Sequence, residues 1–272
     1  MSLSTILALI DPKHGHTTLR VAEYAAEILS ARVNGLAIRP DPSTAIPVVG
    51  PGPMSGDFIQ MAMDYAEIDG KRHINAAKDI FDARSGAAPA GFLERIGDVG
   101  RLIAEEGRIH GLITLPCGDL LKGETDAIHS ALFATGRPVI IAPTQFVDTM
   151  GSRVVIFWKD TPQAARAVWA ALPFLKQSKQ VRAITVDDHE HAATALSRLK
   201  TGLDYAGVTI ETDCLAPSSN DAHDQLIEQA AIMNADLVVM GAYSHSRLRE
   251  TVLGGVTLST LDSLARPTLL AH

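Results

Sequence analysis

Asn234-Ala-Asp-Leu-Val-Val-Met240, followed by Gly241-Ala-Tyr-Ser-His-Ser-Arg247 and then Leu253-Gly-Gly-Val-Thr257, is the stretch from which the rest of the chain is best read. Leu237 to Met240 is a compact apolar run that stops at a glycine, the pattern of a buried strand whose chain turns at its end. Further on, Gly254-Gly255 precede Val256-Thr257 and a helical spacing of Leu258, Leu261, Leu264 and Ala265. Strand, glycine turn, loop and glycines at a helix start can bring free backbone N–H groups and a helix dipole onto a phosphate, because glycine lets the backbone come close. The same spacing also fits a plain glycine-rich turn into a helix, so the surrounding chain has to choose between the two.

A length of 272 residues allows one large or two ordinary domains, and 46% hydrophobic content is ample for buried cores. Aromatics are only 5%, while Ala, Val, Ile and Leu dominate, as expected where helices cover both faces of a parallel sheet. A net charge of −7 speaks against a nucleic-acid partner, whose phosphates require a surplus of Lys and Arg. Cys117 and Cys214 stand far apart without disulfide or metal spacing and read as small reduced side chains. The apolar run Thr5 to Ile10 has neither a basic start nor a cleavage site and reads as a first strand; no run has the length of a membrane span. A cytoplasmic protein is therefore expected.

Taken in order, strand and helix patterns alternate, which implies parallel βαβ units with right-handed crossovers. In the first half, strands are expected at 5–10, 33–38, 92–96, 112–115 and 138–142, and helices at 16–31, 57–84, 99–108 and 127–135. Gly70 weakens the long second helix without necessarily breaking it. The second half repeats the plan, with strands at 154–158, 181–186, 208–214, 237–240 and 268–271 and helices at 162–175, 191–205 and 221–233. Pro162 suits the first turn of a helix. Arg266-Pro267 before the last strand mirrors Arg137-Pro138, and Lys159-Asp160 after the strand at 154–158 mirrors Asp11. These matches predict a duplicated domain, residues 1–143 and 152–272, joined by a linker at 144–151.

The order of elements, Asp160-Thr161 after the first strand of the second half, and Gly241-x-x-Ser244 followed after nine residues by Gly254-Gly255-Val256-Thr257 resemble the universal stress protein family in its tandem two-domain form. The resemblance implies two repeats of a five-stranded parallel α/β domain of the adenine-nucleotide α-hydrolase, or Rossmann-like, type. It also implies a regulatory protein of the stress response that binds ATP or another adenine nucleotide, with or without Mg²⁺. ATP-binding members carry Gly-x-x-Gly, nine residues, then Gly followed by Ser or Thr. Gly241 and Gly254 match, whereas Ser244 replaces the second glycine and Gly255 stands in the Ser/Thr place. Ser244 adds a side chain where backbone would approach phosphate, although its hydroxyl can donate, and Thr257 is the nearest hydroxyl to replace the lost one.

Ligands of such folds sit at the carboxyl ends of the strands near the switch point. Asp160 is then expected either to face the adenine or ribose or to cap the following helix, Val186 and Met240 either to pack on adenine or to be core. His245 and Arg247 lie in the loop that would cross the phosphates; Arg247 reads equally as a solvated loop residue. The first half has Pro116-Cys-Gly-Asp-Leu-Leu-Lys-Gly-Glu-Thr125 in the matching place: proline lacks the N–H, and Asp119 and Glu124 repel phosphate. That half is expected not to hold a triphosphate in the same way.

Catalysis finds little support in the sequence, which has no nucleophile elbow and no P-loop lysine, so a non-catalytic or weakly ATP-hydrolysing protein is expected; the pairs His14/His16 and His189/His191 lack a third ligand for a metal. Besides a nucleotide-binding regulator, a hydrolase of the same fold group and a non-binding tandem scaffold remain open. The resemblance further implies that strands 138–142 and 268–271 pair with each other, leaving another surface for any homodimer.

Overall fold

The computed structural model describes residues 4–45, 56–84, 86, 90–117, 126–187, 190–218, 222–242 and 265–272. In chain order its strands are β1 (Thr5–Leu9), β2 (Arg32–Arg39), β3 (Ala90–Ile96), β4 (Leu112–Pro116), β5 (Val139–Ala142), β6 (Arg153–Phe157), β7 (Gln180–Val186), β8 (Glu211–Leu215), β9 (Leu237–Gly241) and β10 (Thr268–Ala271). The helices are α1 (Gly15–Leu29), α2 (Gly56–Asp82), α3 (Val99–Gly107), α4 (Asp126–Ala134), α5 (Pro162–Gln177), α6 (Glu190–Tyr205) and α7 (Ala222–Ile232), with a short 3₁₀ turn at Pro42–Ala45. The helix expected from Leu258 to Ala265 falls almost wholly outside the described residues.

All ten strands form one sheet in the order β3-β2-β1-β4-β5-β10-β9-β6-β7-β8. Within each half the order is the same and every pairing is parallel, whereas β5 and β10 meet antiparallel, with Leu269 opposite Ile140. The strands expected to join the halves therefore do so, and the result is one continuous, mostly parallel sheet. Because successive side chains of a strand point to opposite faces, Ile6, Ala8 and Ile10 enter one core while Leu7 and Leu9 enter the other. The first core, under α1, α2, α5 and α6, and the second, under α3, α4 and α7, each run through both halves. The three-layer stack leaves every central strand covered, which explains the near-continuous apolar runs of the sequence.

The Arg-Pro corners fix the correspondence of the halves residue by residue. The amide of Ile113 donates to Pro138 O and that of Val238 to Pro267 O, so β4 and β9 match at those residues. Leu112 then pairs with Ile6 and Leu237 with Val154, and at the strand ends the amides of Ile10 and Trp158 donate to Leu36 O and Ile184 O. It follows that Ile38 matches Val186, Pro116 matches Gly241, and Asp11 matches Lys159. Of the pair Lys159-Asp160 that the sequence matches with Asp11, it is Lys159 that stands in the equivalent place, and Asp160 lies one residue further on, in a turn before α5 that is one residue shorter than the turn before α1.

One strand boundary also differs. The strand expected at 208–214 begins only at Glu211. Gly207 turns with φ +80°, and Val208 and Ile210 are buried at 3% and 4% exposure as a loop packed under α6. Burial alone had made those residues look like sheet.

Candidate functional site

At the carboxyl ends of the second half's strands, α5 begins with Pro162 after Thr161, whose hydroxyl accepts from the Ala164 amide at 3.3 Å. Thr161 is thus the helix cap, a task open to Asp160 on sequence grounds. The Asp160 carboxylate instead pairs with Arg198 of α6, both side chains being well exposed. Val186 ends β7 half-buried. Met240 is 8% exposed within the second core and so is a packing residue.

Gly241 has a specific steric reason to be glycine. A Cβ there would lie 2.5 Å from the Ala164 nitrogen and 2.9 Å from its Cα, so the first turn of α5 is seated directly on the end of β9. Its φ is not in the left-handed range, so close approach rather than turning selects the residue. The Ala242 amide is used in the sheet, donating to Ala271 O at 2.9 Å. Ser244, His245, Arg247, Gly254, Gly255, Val256 and Thr257 lie outside the described residues, as does the first-half loop at 118–125.

The corresponding ends of β1 and β2 open into a cavity of about 540 Å³. Leu9, Ile10, Ile38 and Val99 form apolar walls, and Asp11, Asp41, Asp69 and His73 add polar groups. Asp11 Oδ1 accepts from the amides of Lys13 and His14 at 2.8 and 2.9 Å, which fixes the turn into α1. Its Oδ2 is shielded from solvent without a hydrogen-bond partner. Asp41 accepts from the amide and hydroxyl of Ser43, which hold its carboxyl below the usual range, and Asp69 accepts from Arg72 at 3.2 Å. His73 is held below the ordinary histidine value by burial, against the opposing pull of Asp11 and Asp69. Asp69, Gly70 and His73 all come from α2, which approaches so closely at Gly70 that a Cβ would lie 3.1 Å from the Arg39 Cδ.

No family model matches the chain. By sequence it is 28% identical to a universal stress protein of Synechocystis sp., over 57% of this chain and 61% of that protein's length. The chain thus spans about three fifths of that relative. By structure, a universal stress protein from Archaeoglobus fulgidus matches with a TM-score of 0.69 at 14% identity, covering 99% of this chain and 96% of that one. A putative universal stress protein from Pseudomonas aeruginosa gives 0.55 at 15% identity over 99% and 93%. The chain is thus similar to universal stress proteins in sequence over part of its length and shares their fold. The fold itself is shared more widely: the cytoplasmic domain of a prokaryotic cation chloride cotransporter matches with a TM-score of 0.52 at 9% identity, over 100% and 96% of the two chains.

The first-half cavity was not legible from sequence. Asp11 was visible as a strand-end carboxylate, but nothing in its neighbourhood announced residues 69–73 of a distant helix. The one signal was Gly70, a costly residue inside a long helix that usually marks close packing. Among the described residues no group of three His, Cys, Asp or Glu side chains is arranged to hold a metal, and no helix is long and apolar enough to cross a membrane.

Proposed function

We infer that this chain is a universal stress protein and a regulatory binder of an adenine nucleotide, ATP with or without Mg²⁺, at the carboxyl ends of β6, β7 and β9. The observation that carries the reading is the position of Gly241. It ends β9 at the switch point between β6 and β9, beside the first turn of α5, and leads into the Gly254-Gly255 spacing. Two further features support it. Lys159 supplies a cation where the first half has Asp11, and half-buried Val186 offers an apolar edge to a base. Asp160 would reach a ribose only by leaving Arg198.

The reading includes a division into residues 1–143 and 152–272 about a linker at 144–151, and a cytoplasmic location. The reading is of binding with little or no turnover, since backbone amides hold phosphate but do not by themselves hydrolyse it.

Isothermal titration of the full chain with ATP and Mg²⁺ tests the proposal. One site is expected, lost in Gly254→Asp, where a carboxylate and a Cβ would oppose phosphate. Titration without heat, or binding unchanged in Gly254→Asp, would remove the nucleotide reading and leave the tandem scaffold.

A further inference from the structure

We propose that the first half of α2 is the surface on which two copies of this chain associate, its outer apolar stripe packing antiparallel against the same stripe of the second copy. Phe58, Met61, Tyr65 and Ile68 follow one another at spacings of three, four and three residues and so share one face of the helix. They are 43, 62, 71 and 59% exposed, and no other described element carries more than one large apolar side chain in that state. Single exposed apolar residues are ordinary, whereas a continuous row of them marks an interaction surface.

The rest of the helix gives a second observation. Its buried residues, Gly70, Ile74, Ala77, Ile80 and Phe81, all lie in the second half, and residues 56–69 are at most half-buried. A helical segment that short is marginal in water unless its apolar faces are packed. Ile59, Ala62, Met63 and Ala66 are half-buried on the inner side, which leaves the outer apolar face uncovered by this chain.

The symmetry of the stripe and its charges name the occupant. A three-four-three spacing reads the same from either end. A two-fold axis crossing the helix beside Met63 therefore sets Phe58 against the partner's Ile68 and Met61 against the partner's Tyr65, the self-complementary match that a pair of identical chains requires. Asp57, Asp64, Glu67 and Asp69 precede Lys71 and Arg72, and no Lys or Arg occurs in α2 before Lys71. Antiparallel packing brings Asp57 beside the partner's Lys71 at both ends of the seam, whereas parallel packing would set Asp57 and Asp64 against their own copies. Asp64 alone meets its own copy near the axis, which keeps the association weak. The same acidic flanks disfavour an anionic membrane, for which an amphipathic helix needs Lys and Arg beside its apolar face. At roughly 200 Å² for each large side chain, the four exposed groups offer about 450 Å² per protomer, the scale of a weak interface.

Sedimentation velocity of the full chain, without nucleotide, over about 1 to 300 µM tests this, and a monomer–dimer equilibrium with a micromolar dissociation constant is expected. Tyr65→Glu, at a position that the fold of one copy leaves exposed, should weaken it by at least about tenfold and leave the circular dichroism of dilute protein unchanged. Asp57→Lys and Lys71→Asp should each weaken it by about fivefold, and the double exchange should restore it, because the two residues then meet with signs reversed. The two positions stand about 21 Å apart along one helix, so such a rescue cannot arise within a single chain. Asp64→Asn should tighten the pair by about twofold. The proposal is overturned if the chain stays monomeric throughout that range, or if a dimer forms that Tyr65→Glu does not weaken. A double exchange as weak as the single ones, or an Asp64→Asn dimer looser than the wild type, would overturn it as well.

Discussion

Asp11 and Lys159 occupy the same point in the two halves of one sheet, each half built to the same plan, and around them the halves diverge. In the first, the carboxylate ties down its turn with one oxygen, β4 ends in a proline, and α2 crosses the strand ends to roof a cavity. In the second, a lysine follows the strand, β9 ends in a glycine, and the first turn of α5 is pressed onto that glycine. The next carboxylate, Asp160, is carried off to Arg198. The two halves thus share their strand order and differ in the residues just beyond each strand.

The largest effect tests whether the halves behave as one body. Leu269 is fully buried and faces Ile140 across the antiparallel seam. Leu269→Ala should cost about 3 kcal/mol in urea unfolding, within a single transition. Two separate transitions would show that the shared cores do not couple the halves.

Gly241→Ala comes next. The new methyl would press on α5 backbone, which has no rotamer to escape into, so a loss of about 2 kcal/mol is expected. Gly70→Ala, whose methyl meets only the flexible end of Arg39, should cost less than Gly241→Ala. Equal losses in the two variants would remove the steric distinction drawn between the halves.

A smaller effect depends on pH. His73 has its folded value depressed below 6.5, chiefly by burial. Between the two values the unfolded chain binds more protons, so stability is full above pH 6.5 and declines as pH falls through the folded value. The urea midpoint of the wild type should therefore drop more than that of His73→Gln on acidification from about pH 7.5 to about pH 5.5. Parallel drops would contradict the burial assigned to His73. Smallest of all is Arg198→Ala, which removes an exposed pair and should change stability by less than about 0.5 kcal/mol. A loss well above that would show Asp160 to be part of the fold.

Much of the architecture was legible because short apolar runs alternate with helical spacing and because the Arg-Pro corners repeat. Arg137-Pro138 and Arg266-Pro267 located the two strands that join the halves. The boundary of β8 was not legible, since Val208 and Ile210 are buried like strand residues while the chain around Gly207 is still turning. Candidate site residues were harder to read. Thr161 and Asp160 are adjacent and both suited to capping, and only the geometry of the turn gives the cap to Thr161. Gly241 was visible as a glycine, but its reason, contact with α5, joins segments nearly eighty residues apart. The acid-lined cavity joins β1 to α2 over a comparable distance, and no local pattern records that.

The nucleotide site is proposed at the strand ends of the second half and not of the first. Titration of ATP with Mg²⁺ into the wild type, Asp11→Asn and Gly254→Asp tests it most directly. One site, intact in Asp11→Asn and absent in Gly254→Asp, is the predicted result. Binding that survives Gly254→Asp and disappears in Asp11→Asn would place the nucleotide in the first half and contradict the account.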